Sequence, residues 1–333
     1  MDFGLTERAE RELRAVQDHD VLMSSEVLAS LLGVPALRLR LFRTFKACGY
    51  DLVLLCCVSD RLSNANSRYN QDVKTLTGVG SMVDFVTSGR HLAGLPLWRD
   101  WEHTPRVETR ILPYDATAKQ EGIVARLLTA VGLLEAPPAS DVRANTSPGP
   151  IHVGLARWFT GHLYSAGVRP TTRQRTRLMG VLANTVDSSG QDSERYQGLT
   201  PDLADIVRAD TRAAMEDLSA HFWSRPVGEV LPEPEGGLPD CNDVDVSDAC
   251  RPPLGEWRDL QSRVLQAAEP ILKDPRFAVT REHRHVRIQL REIGVDLDAV
   301  LQARFRRLYP TATSEPNATP PPPPRPLAPR ASA

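Results

Sequence analysis

DLVLLCCVSDRLSNANSRYNQDVK, residues 51–74, decides the fold. Leu52 to Val58 is an unbroken run of seven apolar residues, the pattern of a strand covered on both faces of a parallel sheet. It stops at the polar turn Ser59-Asp60-Arg61, and residues 62–76 then read as a helix. A buried strand that passes through a short polar turn into a helix leaves free backbone N–H groups at its carboxyl end. That is where open α/β sheets take anionic ligands, so functional residues are sought there first.

Outward from this stretch, residues 6–17 read as a helix and 21–23 as a short strand, with Ser24 or Ser25 as N-cap of a helix beginning at Glu26. Residues 35–48 form a basic helix carrying Arg38, Arg40, Arg43 and Lys46, and 81–87 and 97–102 are short helices. Residues 107–112 alternate like a strand ending at Pro113-Tyr114, and 120–131 return to i, i+3, i+4 spacing. Strands alternating with helices predict an α/β fold with a small parallel sheet of three or four strands and flanking helices.

The second half is expected to be mainly helical. Residues 151–166, 171–187 and 201–223 read as helices, the last opened by Thr200-Pro201-Asp202 with Pro at the first helical position. Residues 255–272 form another, 285–290 read as a lone strand, and Asp296 caps a last helix to about Leu308. The organisation this implies is an α/β core over 1–150, a helical extension over 151–223 and an acidic Pro/Gly linker over 224–254. A helical segment over 255–309 and a disordered Pro-rich tail over 310–333 complete it.

Composition narrows the function classes. The chain has 333 residues, 41% hydrophobic, enough for one substantial core. Forty basic residues against 42 acidic give no field that favours nucleic acid or an anionic membrane. No run approaches the roughly 18 apolar residues of a membrane span, and the charged start Asp2, Glu7, Arg8, Glu10, Arg11 is unlike a secretory signal. A cytoplasmic protein is expected.

The five cysteines form no CxxC pair and read as small hydrophobes in a reducing compartment. Cys241 and Cys250 bracket NDVDVSDA, where Asp243, Asp245 and Ser247 have the spacing of a calcium loop. Position six of that loop is Asp248 rather than Gly and position twelve is Leu254 rather than Glu, so the stretch is expected to be a solvated acidic linker holding no metal.

The stretch 51–74 resembles P-loop sulfotransferase-like proteins of the bacterial type, which take sulfate from 3′-phosphoadenosine-5′-phosphosulfate. In that family an Arg ends a strand, and a Ser eight residues later on the following helix joins it on the nucleotide's 3′-phosphate. Here Ser67 matches the serine and Ser59 stands in place of the arginine. Ser24-Ser25-Glu26, SRYNQDVK, LWRDWEHTPRVETRILPYD and EGIVARLLTAVGL continue the likeness over about residues 20–135. The family's glycine-rich phosphate loop is not found, since no GxxxxGK[ST] occurs in the chain.

The resemblance implies that Ser59, Arg61, Ser67 and Lys74 contact the nucleotide, with Arg61 swinging onto a phosphate in place of the family's arginine. It also implies that Glu26 deprotonates the acceptor hydroxyl of a carbohydrate or small metabolite. Each residue has a plainer reading. Glu26 is an ordinary glutamate of a helix's first turn, and Lys74 an exposed helix lysine solvated like most. His19 and His103, the histidines near this region besides His91, read as surface or core-edge residues rather than bases. Arg281, Arg284, Arg287 and Arg291 lack interleaved aromatics and read as a solvated face rather than a nucleic-acid surface.

Two functions follow from different classes. One is a sulfotransferase-like enzyme moving a sulfuryl group to a hydroxyl. The other is a non-catalytic relative that keeps the sheet as a scaffold and binds a protein partner through its helical half and the Pro320, Pro323, Arg325 (PxxPxR) tail.

Overall fold

The computed structural model describes residues 4–22, 34–78, 80–95, 98–102, 106–132, 147–190, 194–233, 237–247 and 250–274, with the single positions Leu32, Thr104 and Asp192. The expected helix at Glu26, strand 285–290 and helix from Asp296, and the tail, lie outside them. The protein is mixed α/β and mostly helical around one parallel pair of strands.

Strand β1 (Leu52–Val58) pairs in parallel with β2 (Val107–Pro113), Leu52 opposite Val107 and Val58 opposite Pro113. Among the described residues the sheet has these two strands, not three or four. Val21 and Leu22, expected to start a third, are exposed and not in a strand. An apolar run signals a strand, but only a partner with free backbone groups makes one.

The expectation that β1 is covered on both faces is also corrected. Leu54 and Val58 are buried, whereas Val53 and Cys57 are exposed, so the seven apolar residues alternate between core and a lightly covered face.

Before the sheet come α1 (Gly4–Ala15) and α2 (Pro35–Ala47), joined by a small core of Leu13, Phe45 and Cys48. Helix α3 (Arg61–Lys74) leaves β1 through the Ser59-Asp60 turn, where the Asp60 carboxylate accepts from Ser63 N–H at 2.8 Å. Its inner face is Leu62, Ala65, Asn66, Tyr69, Asn70 and Val73. Short α4 (Met82–Thr87), closed by a Ser81/Asp84 capping box, leads into a 3-10 turn at Arg90–Gly94 and α5 (Arg99–Glu102).

After β2 the expected helix 120–131 is two helices, α6 (Ala116–Glu121) and α7 (Ile123–Ala130). Gly122 separates them at φ 89°, a value that a side chain disfavours.

Helices α8 (Pro150–Ser165), α9 (Thr172–Asp187), α10 (Pro201–Phe222), α11 (Val227–Val230) and α12 (Leu254–Lys273) complete the described chain. One core packs α3 and α4 against α8, α9, α10 and α12, and a second packs α2 and the sheet against Trp98, Trp101, α10 and α11. Both cores draw on either side of residue 150, so packing runs across the boundary expected there. Among the described residues no helix is long and apolar enough to cross a membrane.

The stretch expected to be a solvated acidic linker is built into the fold instead. Val230, Leu231, Asn242, Asp243 and Val244 are all buried. Asn242 accepts from Gln197 N–H and donates to the Arg195 carbonyl, so the loop is stitched to the segment before α10.

Candidate functional site

The strands end side by side, with Tyr114 N–H donating to the Val58 carbonyl at 2.8 Å. Each then starts a helix capped by its own aspartate: Asp60 caps α3, and Asp115 caps α6 through Ala118 N–H at 2.8 Å. Arg126 on α7 reaches back to Asp115 at 2.9 Å and to the Pro113 carbonyl at 3.1 Å. The carboxyl edge thus carries two helix N-termini, two carboxylates on them and one guanidinium beside them. Both helix dipoles are already partly neutralised.

Half-buried Ser59 lies in the turn between β1 and α3. Arg61, at the first helical position, is only 8% exposed. Its Nη2 donates to the His91 carbonyl at 3.1 Å, and its buried Nε has no acceptor among the described residues. Burial pulls the guanidinium pKa down to about 10, with Arg68 adding to the fall and Asp60 opposing it. Arg61 is therefore a cation sunk beneath the surface at a helix N-terminus and, among the described residues, satisfied by one carbonyl.

Ser67 is exposed on α3, in one ridge with Ser63 and Gln71. It lies two turns beyond Arg61, about 9 Å along the helix axis. Lys74 closes the same helix, about 20 Å from Arg61 by helical rise. It sits instead close enough to α8 that its charge adds to the burial that depresses the pKa of His152. Ser59 and Arg61 thus share the start of α3, Ser67 stands midway along it on the exposed ridge about 120° around the helix from inward-facing Arg61, and Lys74 lies at its far end. Glu26 lies outside the described residues.

Two features escaped the sequence reading. The His91 ring is fully buried, with Nε2 3.3 Å from the Asp210 carboxylate, directly behind the carbonyl that holds Arg61. Deeper in the fold, Arg157 of α8 pairs with Asp243, reaches Asp245, and donates to the Tyr69 hydroxyl at 2.9 Å. The Tyr196 hydroxyl donates to Asp243 at 2.6 Å, and its ring stacks on Tyr69 at 5.8 Å. The available signal was Arg157 itself, the one Lys or Arg within the otherwise apolar PIHVGLARWFTGHLYS. With its donors engaged in this way, the cluster works as a clasp rather than a reaction centre.

Among the described residues no group of three or more His, Cys, Asp or Glu is arranged to hold a metal ion. No family model, curated protein or solved structure matches the chain.

Proposed function

We propose that this is a sulfotransferase-like protein whose nucleotide, 3′-phosphoadenosine-5′-phosphosulfate, sits at the carboxyl end of β1 against the first two turns of α3. The observation that carries the reading is Arg61, a buried guanidinium at a helix N-terminus with a single carbonyl acceptor among the described residues. An anionic ligand would relieve the cost of burying that charge, and exposed Ser67 supplies a hydroxyl on the same helix.

In the reaction the oxygen of an acceptor hydroxyl, on a carbohydrate or small metabolite, attacks sulfur. The bond from sulfur to the 5′-phosphate oxygen breaks, 3′,5′-adenosine bisphosphate leaves, and the hydroxyl proton passes to a base, a role assigned to Glu26. The same reading places the protein in the cytoplasm, with its five cysteines free.

The test is thermal unfolding with added 3′,5′-adenosine bisphosphate. A ligand at 100 times its dissociation constant adds about 2.7 kcal/mol of stability. The expected result is a clear upward shift that Ser67→Ala abolishes. No shift at millimolar ligand overturns the reading.

One observation favours a second reading, a non-catalytic relative whose sheet is a scaffold. Asp60 and Asp115 already occupy both helix N-termini at the strand ends, and like charge there repels a phosphate. On this reading wild-type protein ignores the nucleotide, and Ser59→Arg restores measurable binding by returning a fork-shaped donor to the turn.

A further inference from the structure

Helices α8 and α12 carry an aromatic strip that neither the clasp nor the strand-end site uses. Trp158 and His162, one turn apart on α8, stack with centroids 5.7 Å apart. On α12, Leu254, Trp257, Gln261 and Leu265 follow one another at i, i+3, i+7 and i+11, which places them on one ridge. The two halves meet at Gln261. With its amide oxygen turned toward them it accepts from Trp257 Nε1 at 3.0 Å and Trp158 Nε1 at 3.1 Å.

The indole N–H groups are thus held in place while ring faces stay partly open. Both tryptophans are half-buried, His162 is exposed, Leu254 is 64% exposed and Leu265 is 36% exposed. Apolar surface left open over two packed helices is a docking face, because its burial against a partner is favourable.

The chain itself contains a segment of matching chemistry. Residues 320–326 are Pro-Pro-Pro-Pro-Pro-Arg-Pro, and proline-rich segments dock on aromatic-lined surfaces with little entropy left to lose. The reach is sufficient. Trp257 lies about 25 Å from the end of α12 by helical rise. The 45 residues 275–319 join Asp274 to the proline run, and a segment of that length would span about 67 Å even if it were wholly helical.

The loop before α12 borders the strip, since Val244 lies where a Cβ on Gly154 would be, beside the Trp257 ring.

We propose that residues 320–330 of the same chain dock on the Trp158–Trp257 strip. Tethering makes the local concentration of the segment on the order of millimolar, so a weak contact suffices. While docked, the tail is withheld from any other protein that reads its PxxPxR spacing.

The test uses the full chain labelled with 5-fluorotryptophan, whose five resonances are assigned by Trp→Phe variants. In a variant carrying Pro320→Ala, Pro323→Ala and Arg325→Ala, the Trp158 and Trp257 resonances are expected to move while those of Trp98, Trp101 and Trp223 stay. A synthetic peptide of residues 318–330 added to that variant should move them back, and the wild-type positions should not depend on protein concentration. Unmoved resonances, a shift of all five together, or no response to the peptide overturns the proposal. A wild-type shift that grows with concentration assigns the contact to a second copy and also overturns it.

Discussion

Arg157 grips Asp243 with both arms of its guanidinium, Nη1 to Oδ2 at 3.0 Å and Nη2 to Oδ1 at 2.9 Å, although 86 residues separate them. Both are buried, and the pair ties the loop before α12 to the middle of α8. Breaking a buried pair by removing one member costs about 3–5 kcal/mol, since the other charge is left uncompensated. Arg157→Leu, which strands Asp243, should therefore lower Tm by roughly 6–20 °C in calorimetry, and Asp243→Leu by less, because Arg157 keeps Asp245. The double variant should regain part of that loss, because no orphan charge remains. A double variant worse than the sum of the singles would mean that the loop depends on the ion pair itself.

The same carboxylate gives a pH dependence. Burial raises the pKa of Asp243, but the Arg157 guanidinium, the Tyr196 hydroxyl and the Asp245 N–H outweigh burial and leave it below the ordinary value of 3.8. A depressed acid pKa stabilises the fold above that ordinary value and loses its contribution as pH falls through the lowered one. Urea midpoints of wild type and Asp243→Asn should thus differ most near neutrality and converge below about pH 4. A gap that stays constant down to pH 3 would assign the effect to packing.

Much of this fold was legible because local chemistry fixes it. Thr171 with Gln174 forms a capping box, and Thr200-Pro201 opens α10, so those starts fall within a residue of expectation. The strand pair was legible, β1 from an apolar run that stops at a polar turn and β2 from alternation that ends at Pro113-Tyr114. Long-range choices were not. NDVDVSDA reads as solvated because its partner Arg157 is remote in sequence, and nothing local reveals that Asp243 is paid for. At the candidate site one turn carries Ser59 and Arg61, whereas Ser67 stands midway along the same helix on its exposed ridge. That Arg61 turns inward to His91 is a rotamer decided by packing, and Lys74 drops out simply through helical rise.

Asn66 makes a separate long-range tie. Its amide donates to the Tyr196 carbonyl at 2.9 Å and accepts from Gly198 N–H at 2.9 Å, pinning the segment before α10 onto α3. Asn66→Leu leaves a buried donor and a buried acceptor unmade, at about 1–3 kcal/mol each. Amide hydrogen exchange should accelerate at Gly198 far more than in the middle of α10. Uniform acceleration across the protein would indicate global destabilisation and no specific pin.

Arg61 separates ligand binding from stability. A base with a depressed pKa binds its proton more weakly in the folded state, so from about 10 up to the ordinary arginine range the unfolded chain holds more protons. Stability then rises with pH across that window, and at neutrality the buried charge is a cost to the free protein. Arg61→Met keeps the stem's apolar packing and removes the charge, so the free variant should melt at or a few degrees above the wild type. It should also lose the stabilisation by 3′,5′-adenosine bisphosphate. A variant that melts lower and still gains stability from the nucleotide would make Arg61 a structural residue and move the phosphate contact elsewhere on α3.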